Sequence, residues 1–376
     1  MQVLIIVDSF KESLDATQVA QAIAAGVGEI QPDLTSHCIP FSDGGEGALS
    51  VLEKHAQGEL VQSETVDALG RSFKANYFIF KNKKKAWIEL SQASGLALIE
   101  PEQRNPLIAS TFGTGLQIKD AIEKGCTEII LGIGGSATND AAAGIFQALG
   151  GQLLDKNKIP LAKGGAALQQ LETIVLPTHL DHTKWKIAFD VNNPLIGPNG
   201  ASYVYGPQKG ASKKDVEDLE VALTQLAVTL EKKCLRKVDQ INGGGAAGGT
   251  AAGMAGFFGA TLVPGFQLLS EMIQLEKVIE KADIIFTAEG KLDHQSLNGK
   301  VPVEVARLAK KHNKTCIGLA GAIEGPFAPL YEAGFSGLFS IQQAPINLET
   351  SKQQAYALLT ETTARIFHFY QQTKLK

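Results

Sequence analysis

The densest group of reactive side chains lies between Ala282 and Pro302, ADIIFTAEGKLDHQSLNGKVP. Glu289, Lys291, Asp293, His294, Gln295, Ser296, Asn298 and Lys300 are gathered there, punctuated by Gly290 and Gly299. Carboxylates can serve a metal ion or a proton, and a lysine beside a glycine can serve a phosphate. The combination fits phosphoryl chemistry. The same polarity also suits a solvated surface turn. The elements that must position these groups flank them. Ile284 to Phe286 reads as a short buried parallel strand, with the polar residues in the loop that follows. Pro302 opens a helix that continues through Val303, Val305, Ala306 and Leu308, with Lys310, Lys311 and His312 in its last turn. Ligands of open α/β sheets bind at the carboxyl ends of strands, and a helix N-terminus favours an anion.

Other strand-to-helix loops carry similar groups. The strand Val3–Val7 is followed by Asp8, Ser9, Phe10, Lys11, Glu12 and Ser13. A strand over 35–40 ends in SDGGEG, residues 42–47, where Asp43 reads either as a cleft carboxylate or as a helix N-cap. The strand Ile129–Ile133 runs into Gly134, Gly135, Ser136, Ala137, Thr138, Asn139 and Asp140, a strand–glycine loop–helix unit that reads as an anion site. The strand over 186–189 ends in Asp190, Asn192, Asn193 and Pro194, which suits a metal or substrate contact and equally an Asx turn. Gly243, Gly244, Gly245, Gly248, Gly249 and Gly253 mark a backbone that comes close to another helix or to a ligand. Arg71, in the turn DALGR, reads as a carboxylate ligand or a surface arginine. The chain has no GxxxxGK[ST], and the glycine loop at 134–140 is not a GxGxxG, which disfavours a P-loop kinase and a dinucleotide dehydrogenase.

The intervening segments place these loops. Asp15 and Gln18 form a capping-box pattern before a helix with Val19, Ile23, Val27 and Ile30 on one face. Residues 73–80 and 86–90 alternate as an antiparallel ribbon joined at KNKKK, residues 81–85, with a domain boundary near residue 60. Residues 212–233 form an amphipathic helix that packs on its own domain rather than in a coiled coil, since the pattern stops within three heptads. Helices are expected over 266–281 and 352–370, and strands over 314–319 and 337–341.

The chain has 376 residues, enough for two or three domains, with 44% hydrophobic and 20% charged residues. A net charge of −4 argues against a general nucleic-acid binder. Cys38, Cys126, Cys234 and Cys316 are widely spaced without a CxxC, so neither a disulfide nor a zinc framework is expected, and Cys126 and Cys316 read as buried. The chain opens on a strand without the charged region of a signal peptide, which fits a cytoplasmic protein. The uncharged span 241–270, rich in glycine and alanine and holding Pro264, reads as a glycine loop and buried helix rather than a membrane segment.

Taken in order, these loops resemble the bacterial glycerate kinases, the glycerate kinase I fold. The motifs are DSFKES (8–13), SDGGEG (42–47), LGR (69–71), RNP (104–106), GTG (113–115), GGSATNDAAAG (134–144), DVNNPL (190–195), GGGAAGGTAAG (243–253) and EGKLDHQSLNGK (289–300). They span nearly the whole chain. The resemblance implies two α/β domains: a flavodoxin-like parallel-sheet domain, placed at 1–60 plus 284–376, and a second α/β domain with an antiparallel ribbon and Gly-rich loops inserted at 61–283. It implies ATP-dependent phosphorylation of D-glycerate with Mg²⁺, giving 2-phosphoglycerate rather than 3-phosphoglycerate, by a monomer or homodimer. A kinase for a related hydroxy acid and a non-catalytic sugar-acid sensor are the alternatives. Under this resemblance Asp293 or Asp43 takes the hydroxyl proton, and Lys11 and Lys300 clamp phosphate. Arg71, Lys291 and Ser9 bind glycerate, and Asp190 and Glu289 hold the metal. Gly134, Gly135, Ser136, Asn139, Gly244, Gly245 and Gly248 hold the nucleotide.

Overall fold

A computed structural model describes residues 1–41, 47–178, 180, 182–297 and 299–374. The strands, in chain order, are β1 (Val3–Val7), β2 (His37–Pro40), β3 (Gly58–Val66), β4 (Ser72–Phe80), β5 (Lys85–Glu89), β6 (Glu128–Gly132), β7 (Gln152–Leu154), β8 (Thr173–Val175), β9 (Lys184–Phe189), β10 (Thr261–Pro264), β11 (Ile284–Leu292), β12 (Thr315–Ile323) and β13 (Gly337–Ser340). The chain divides into two compact units, Met1–Asp43 with Leu269–Lys376, and Gly44–Leu268.

The first unit has one parallel sheet in the order β13-β12-β11-β1-β2. Renumbered within the unit, that order is 2-1-3-4-5, the flavodoxin-like arrangement. Apolar β-branched runs fill its centre, where β1 is buried throughout and β11 is buried from Ile284 to Ala288. Val3, Ile5, Val7, Ile284, Phe286, Ile317 and Leu319 share one core with Val19, Ile23 and Val27 of the helix Ala16–Ile30. That helix starts where the capping box places it. Asp15 Oδ1 accepts from Gln18 N at 2.8 Å, and Gln18 Oε1 accepts from Asp15 N at 3.0 Å. The final helix, Leu348–Lys374, packs Leu358, Leu359 and Phe367 onto the same core.

The inserted unit carries a six-stranded mixed sheet in the order β10-β9-β6-β5-β4-β3. The β3–β4 and β4–β5 pairs are antiparallel and form the expected ribbon, while β5, β6, β9 and β10 run parallel. The helix Lys213–Cys234 packs Leu219, Leu223, Leu226 and Leu230 into this unit's core, so it is no coiled-coil seam. A second capping box opens it: Ser212 Oγ accepts from Asp215 N, and Asp215 Oδ2 accepts from Ser212 N at 2.8 Å. Ser212→Ala is expected to lower stability by about 1 kcal/mol, read as a shift of the urea midpoint. A midpoint unchanged from the parent would show that the cap is not needed.

The unit boundaries fall at 43/44 and 268/269, not at 60/61 and 283/284. Residues 48–60 belong to the inserted unit because Leu49 N donates to buried Glu89 Oε1 at 2.7 Å and Gly58 pairs with Phe80. Residues 269–283 belong to the first unit. His312 Nε2 lies 2.7 Å from Glu276 Oε1 and ties the helix Leu275–Ile279 to the helix Val301–Lys311. The single helix expected over 266–281 is broken in two, because Gln274 adopts the left-handed conformation at φ 55°. The four cysteines are free, with Cys126 and Cys316 buried. Among the described residues, no helix is long and apolar enough to cross a membrane.

Candidate active site

In the first unit β1 and β11 are neighbours, while β1 also pairs with β2 and β11 with β12. The strand order reverses between them, and ligands of such sheets collect at that switch point. The loop after β1 lies against β11 there. Asp8 N donates to Ala288 O at 3.1 Å. A Cβ on Gly290 would stand 3.7 Å from Phe10 Cα and 3.9 Å from Lys11 N, an ordinary contact distance. Ser9 N donates to Asp8 Oδ1 at 2.6 Å. Glu12, at φ 61°, pairs with Lys352 at 2.5 Å, and Ser13 Oγ donates to Lys352 O at 2.8 Å. These ties pin the loop and leave Lys11 exposed at its tip.

β11 is longer than expected. It stays paired with β12 as far as Leu292↔Ile323, so Glu289 and Lys291 are strand residues rather than loop residues. Asp293 follows directly. Its Oδ1 accepts from Gln295 N at 2.8 Å and Ser296 N at 3.2 Å, and Lys291 Nζ lies 3.3 Å from Oδ2. Burial pushes this carboxyl up, but the Lys291 ammonium and the two N–H groups outweigh it and hold it below the usual carboxylate value. Asp293 is therefore an ionised acceptor at neutral pH. Lys291, expected to bind glycerate, is shared between Asp293 and Glu324, the latter at 3.0 Å. Lys300 is the N-cap residue of the helix Val301–Lys311, which has Pro302 in its first turn, and it follows Gly299 at φ 100°. Asp43 lies outside the described residues.

In the inserted unit Gly134, Gly135, Ser136 and Asp190 line one cavity of about 310 Å³. The loop after β6 and the end of β9 meet there because β6 and β9 are parallel neighbours. Gly135 takes φ 68°, a conformation that favours glycine, and its carbonyl accepts from Leu96 N at 2.8 Å. Asp190 stands on the wall of this cavity, and carboxylate oxygen is the ligand type that hard cations take.

Other expected members sit elsewhere. Asn139 is fully buried and donates to Ser202 Oγ at 3.2 Å, so it supports the loop from inside. Gly245 and Gly248 are required by the protein's own packing. A Cβ would stand 2.1 Å from Pro194 O and 2.0 Å from Thr138 O, respectively. A Cβ on Gly244 would stand 2.9 Å from Ile241 O, and it is the neighbouring Ala246 and Ala247 that reach the cavity. The Arg71 guanidinium is engaged by its own hairpin and by the segment 98–103. Nε is 2.5 Å from Asp67 Oδ2, and the other nitrogens donate to Gln103 Oε1 and Leu98 O.

Two residues of this region escape a reading of the sequence. Lys209, in GPQKG, looks like a surface-turn lysine, yet it is 2% exposed and lines the cavity. Its Nζ donates to Thr138 O at 2.7 Å. Burial pulls its pKa down to about 7, against the opposing pull of Asp140. Asp140 is wholly buried, and burial raises its pKa despite donors from Thr111 and Gly144. An Asp ahead of an alanine run is an N-cap signal, and that signal could have located it.

The chain matches the family model described as the glycerate kinase family over residues 3–371. It is 39% identical over 367 residues to a glycerate kinase of Halalkalibacterium halodurans, covering 97% of each chain. It is 40% identical to the glycerate 2-kinase of Escherichia coli, covering 95% of this chain and 94% of that one. The crystal structure of a protein described as glycerate kinase 2 from Salmonella typhimurium LT2 superposes with a TM-score of 0.83 at 38% identity, covering all of both chains.

Proposed function

The chain belongs to the glycerate kinase family and is a kinase enzyme, and we propose that it transfers the terminal phosphoryl group of ATP to the 2-hydroxyl of D-glycerate. The observation that carries this reading is the match along nearly the whole chain, which includes a relative named for the 2-position. Phosphoryl transfer needs an acceptor for the hydroxyl proton, cations for the moving charge and a cradle for the nucleotide. Asp293, ionised and held by two N–H groups, is the proton acceptor. Lys11 and Lys300 supply positive charge, and Ser9 offers a hydroxyl to the substrate. The cavity walled by Gly134, Gly135 and Ser136 receives the nucleotide phosphates. Asp190, on the cavity wall of the inserted unit, and Glu289, on β11 of the first unit, each offer the oxygen that Mg²⁺ takes, and the ion would neutralise phosphate charge. Lys291 and Arg71 already hold partners within the protein, so Lys11 is the better placed cation for the glycerate carboxylate.

The test is ADP release with ATP, Mg²⁺ and D-glycerate, with L-glycerate and tartronate alongside, and phosphorus NMR of the product. A 2-phosphoglycerate signal supports the assignment. A 3-phosphoglycerate signal, or preference for another acid, overturns that part of it. The role of Asp293 also sets a pH profile. Its folded pKa is lowered, so its ionised form persists as pH falls and is lost only below the ordinary carboxylate value of 3.8. Turnover is therefore expected to show no Asp293-dependent fall between about pH 7 and pH 5. An acid limb in that interval that disappears in Asp293→Asn would contradict this.

A further inference from the structure

Lys209 is a cation in a place that ordinarily excludes one. It is 2% exposed, and Thr138 O is its one hydrogen-bond acceptor among the described residues. An ammonium carries three N–H donors, so two remain without an acceptor. The loop against it has the opposite shortage. Thr138 Oγ1, Asn139 Oδ1 and Asp140 Oδ1 are buried polar atoms on consecutive residues, and none has a hydrogen-bond partner among the described residues. Such oxygens call for N–H or O–H donors and not for an anion, so it is the unused donors of the ammonium that point to phosphate oxygens. Lys209 also shares the cavity wall with the Gly134–Ser136 loop.

We propose that Lys209 is the cation on which the nucleotide's phosphate groups are held in this cavity. The inference rests on the kinase reading above and adds a residue to it. A buried ammonium with unused donors is stabilised by an anion that supplies both charge and acceptor oxygens. Asp140 supplies part of that compensation, since its negative charge raises the pKa of Lys209 against the effect of burial. Asp190 and Tyr205 are the other titratable groups on the cavity wall. The Tyr205 hydroxyl donates to Asn193 Oδ1 at 2.7 Å, so it is engaged away from Lys209.

The proposal has a signature that does not depend on turnover. Burial leaves the unliganded ammonium with a pKa of about 7, so above that pH it is largely neutral. Phosphate favours the charged form, so binding must draw a proton from solution. ADP itself is already deprotonated at about pH 8 and contributes little to that exchange. Calorimetry of the full chain with ADP, in two buffers of different ionisation enthalpy, reads the proton count directly. The expected result is uptake of most of one proton at about pH 8 and little at about pH 6. In Lys209→Met the uptake vanishes and ADP affinity falls by about tenfold or more, while adenosine affinity is unchanged. Wild-type binding of ADP without proton uptake, or Lys209→Met binding ADP as tightly as the parent, overturns the proposal and leaves the kinase reading intact. Failure of the parent to bind ADP overturns both. If the variant does not fold, the proton count of the parent decides alone.

Discussion

Lys300→Ala is expected to lower turnover by about 10²–10³-fold with no loss of folded protein. The side chain is half-buried at the N-cap of the helix Val301–Lys311, beside the first-turn N–H groups of that helix. A cation placed there adds to the positive end of the helix and opposes the negative charge of a transferring phosphoryl group. The start of the helix does not depend on the ammonium for its backbone hydrogen bonds. The backbone carbonyl of Lys300 accepts from Val303 N and Glu304 N, both at 3.1 Å, and alanine keeps that carbonyl. Val301, Val303, Val305 and Ala306 remain buried and anchor the helix. Single-turnover kinetics beside a thermal melt separate the two effects. A folded variant with the turnover of the parent would remove Lys300 from the mechanism.

Asp140→Ala is expected to cost about 3–5 kcal/mol of stability, several times the cost of an exposed cap. One carboxylate oxygen, Oδ2, accepts from Thr111 N at 2.8 Å, Thr111 Oγ1 at 3.0 Å, Gly144 N at 3.1 Å and Ser110 Oγ at 3.3 Å. Thr111 is the N-cap of the helix Phe112–Glu123, and Gly144 lies in the first turn of the helix Ala143–Ala148. Asp140 thus satisfies the orphan N–H groups of two helix starts at once. Its negative charge also favours the ammonium form of buried Lys209, and that support is lost with it. The segment needs this support, because Ala141 and Ala142 both hold positive φ, at 45° and 60°. Asp140→Asn keeps an acceptor oxygen and is expected to lose less. Urea unfolding of both variants reads the difference, and a loss under about 1 kcal/mol for the alanine would show that the network is not needed.

Features under short-range control were legible in the residues alone. The capping boxes at Asp15–Gln18 and Ser212–Asp215 form between residues three apart, and the turn at 81–85 joins strands that are neighbours in the chain. The buried face of the helix Lys213–Cys234 follows from a 3.6-residue period, and the ordered loop motifs carry the family. The remaining features depend on contacts that form only on folding. The order β13-β12-β11-β1-β2, and with it the switch point, comes from pairing residues nearly 300 positions apart, such as Val3 with Ile284. The polar stretch Glu289–Leu292 stays in a strand because β12 supplies its partners, which no local propensity announces. Gly245 and Gly248 serve carbonyls of Pro194 and Thr138 that only folding brings near. Lys209 is buried because helices and loops distant in sequence close over it. Burial is a sum over all neighbours, whereas residue type and spacing report only the nearest few.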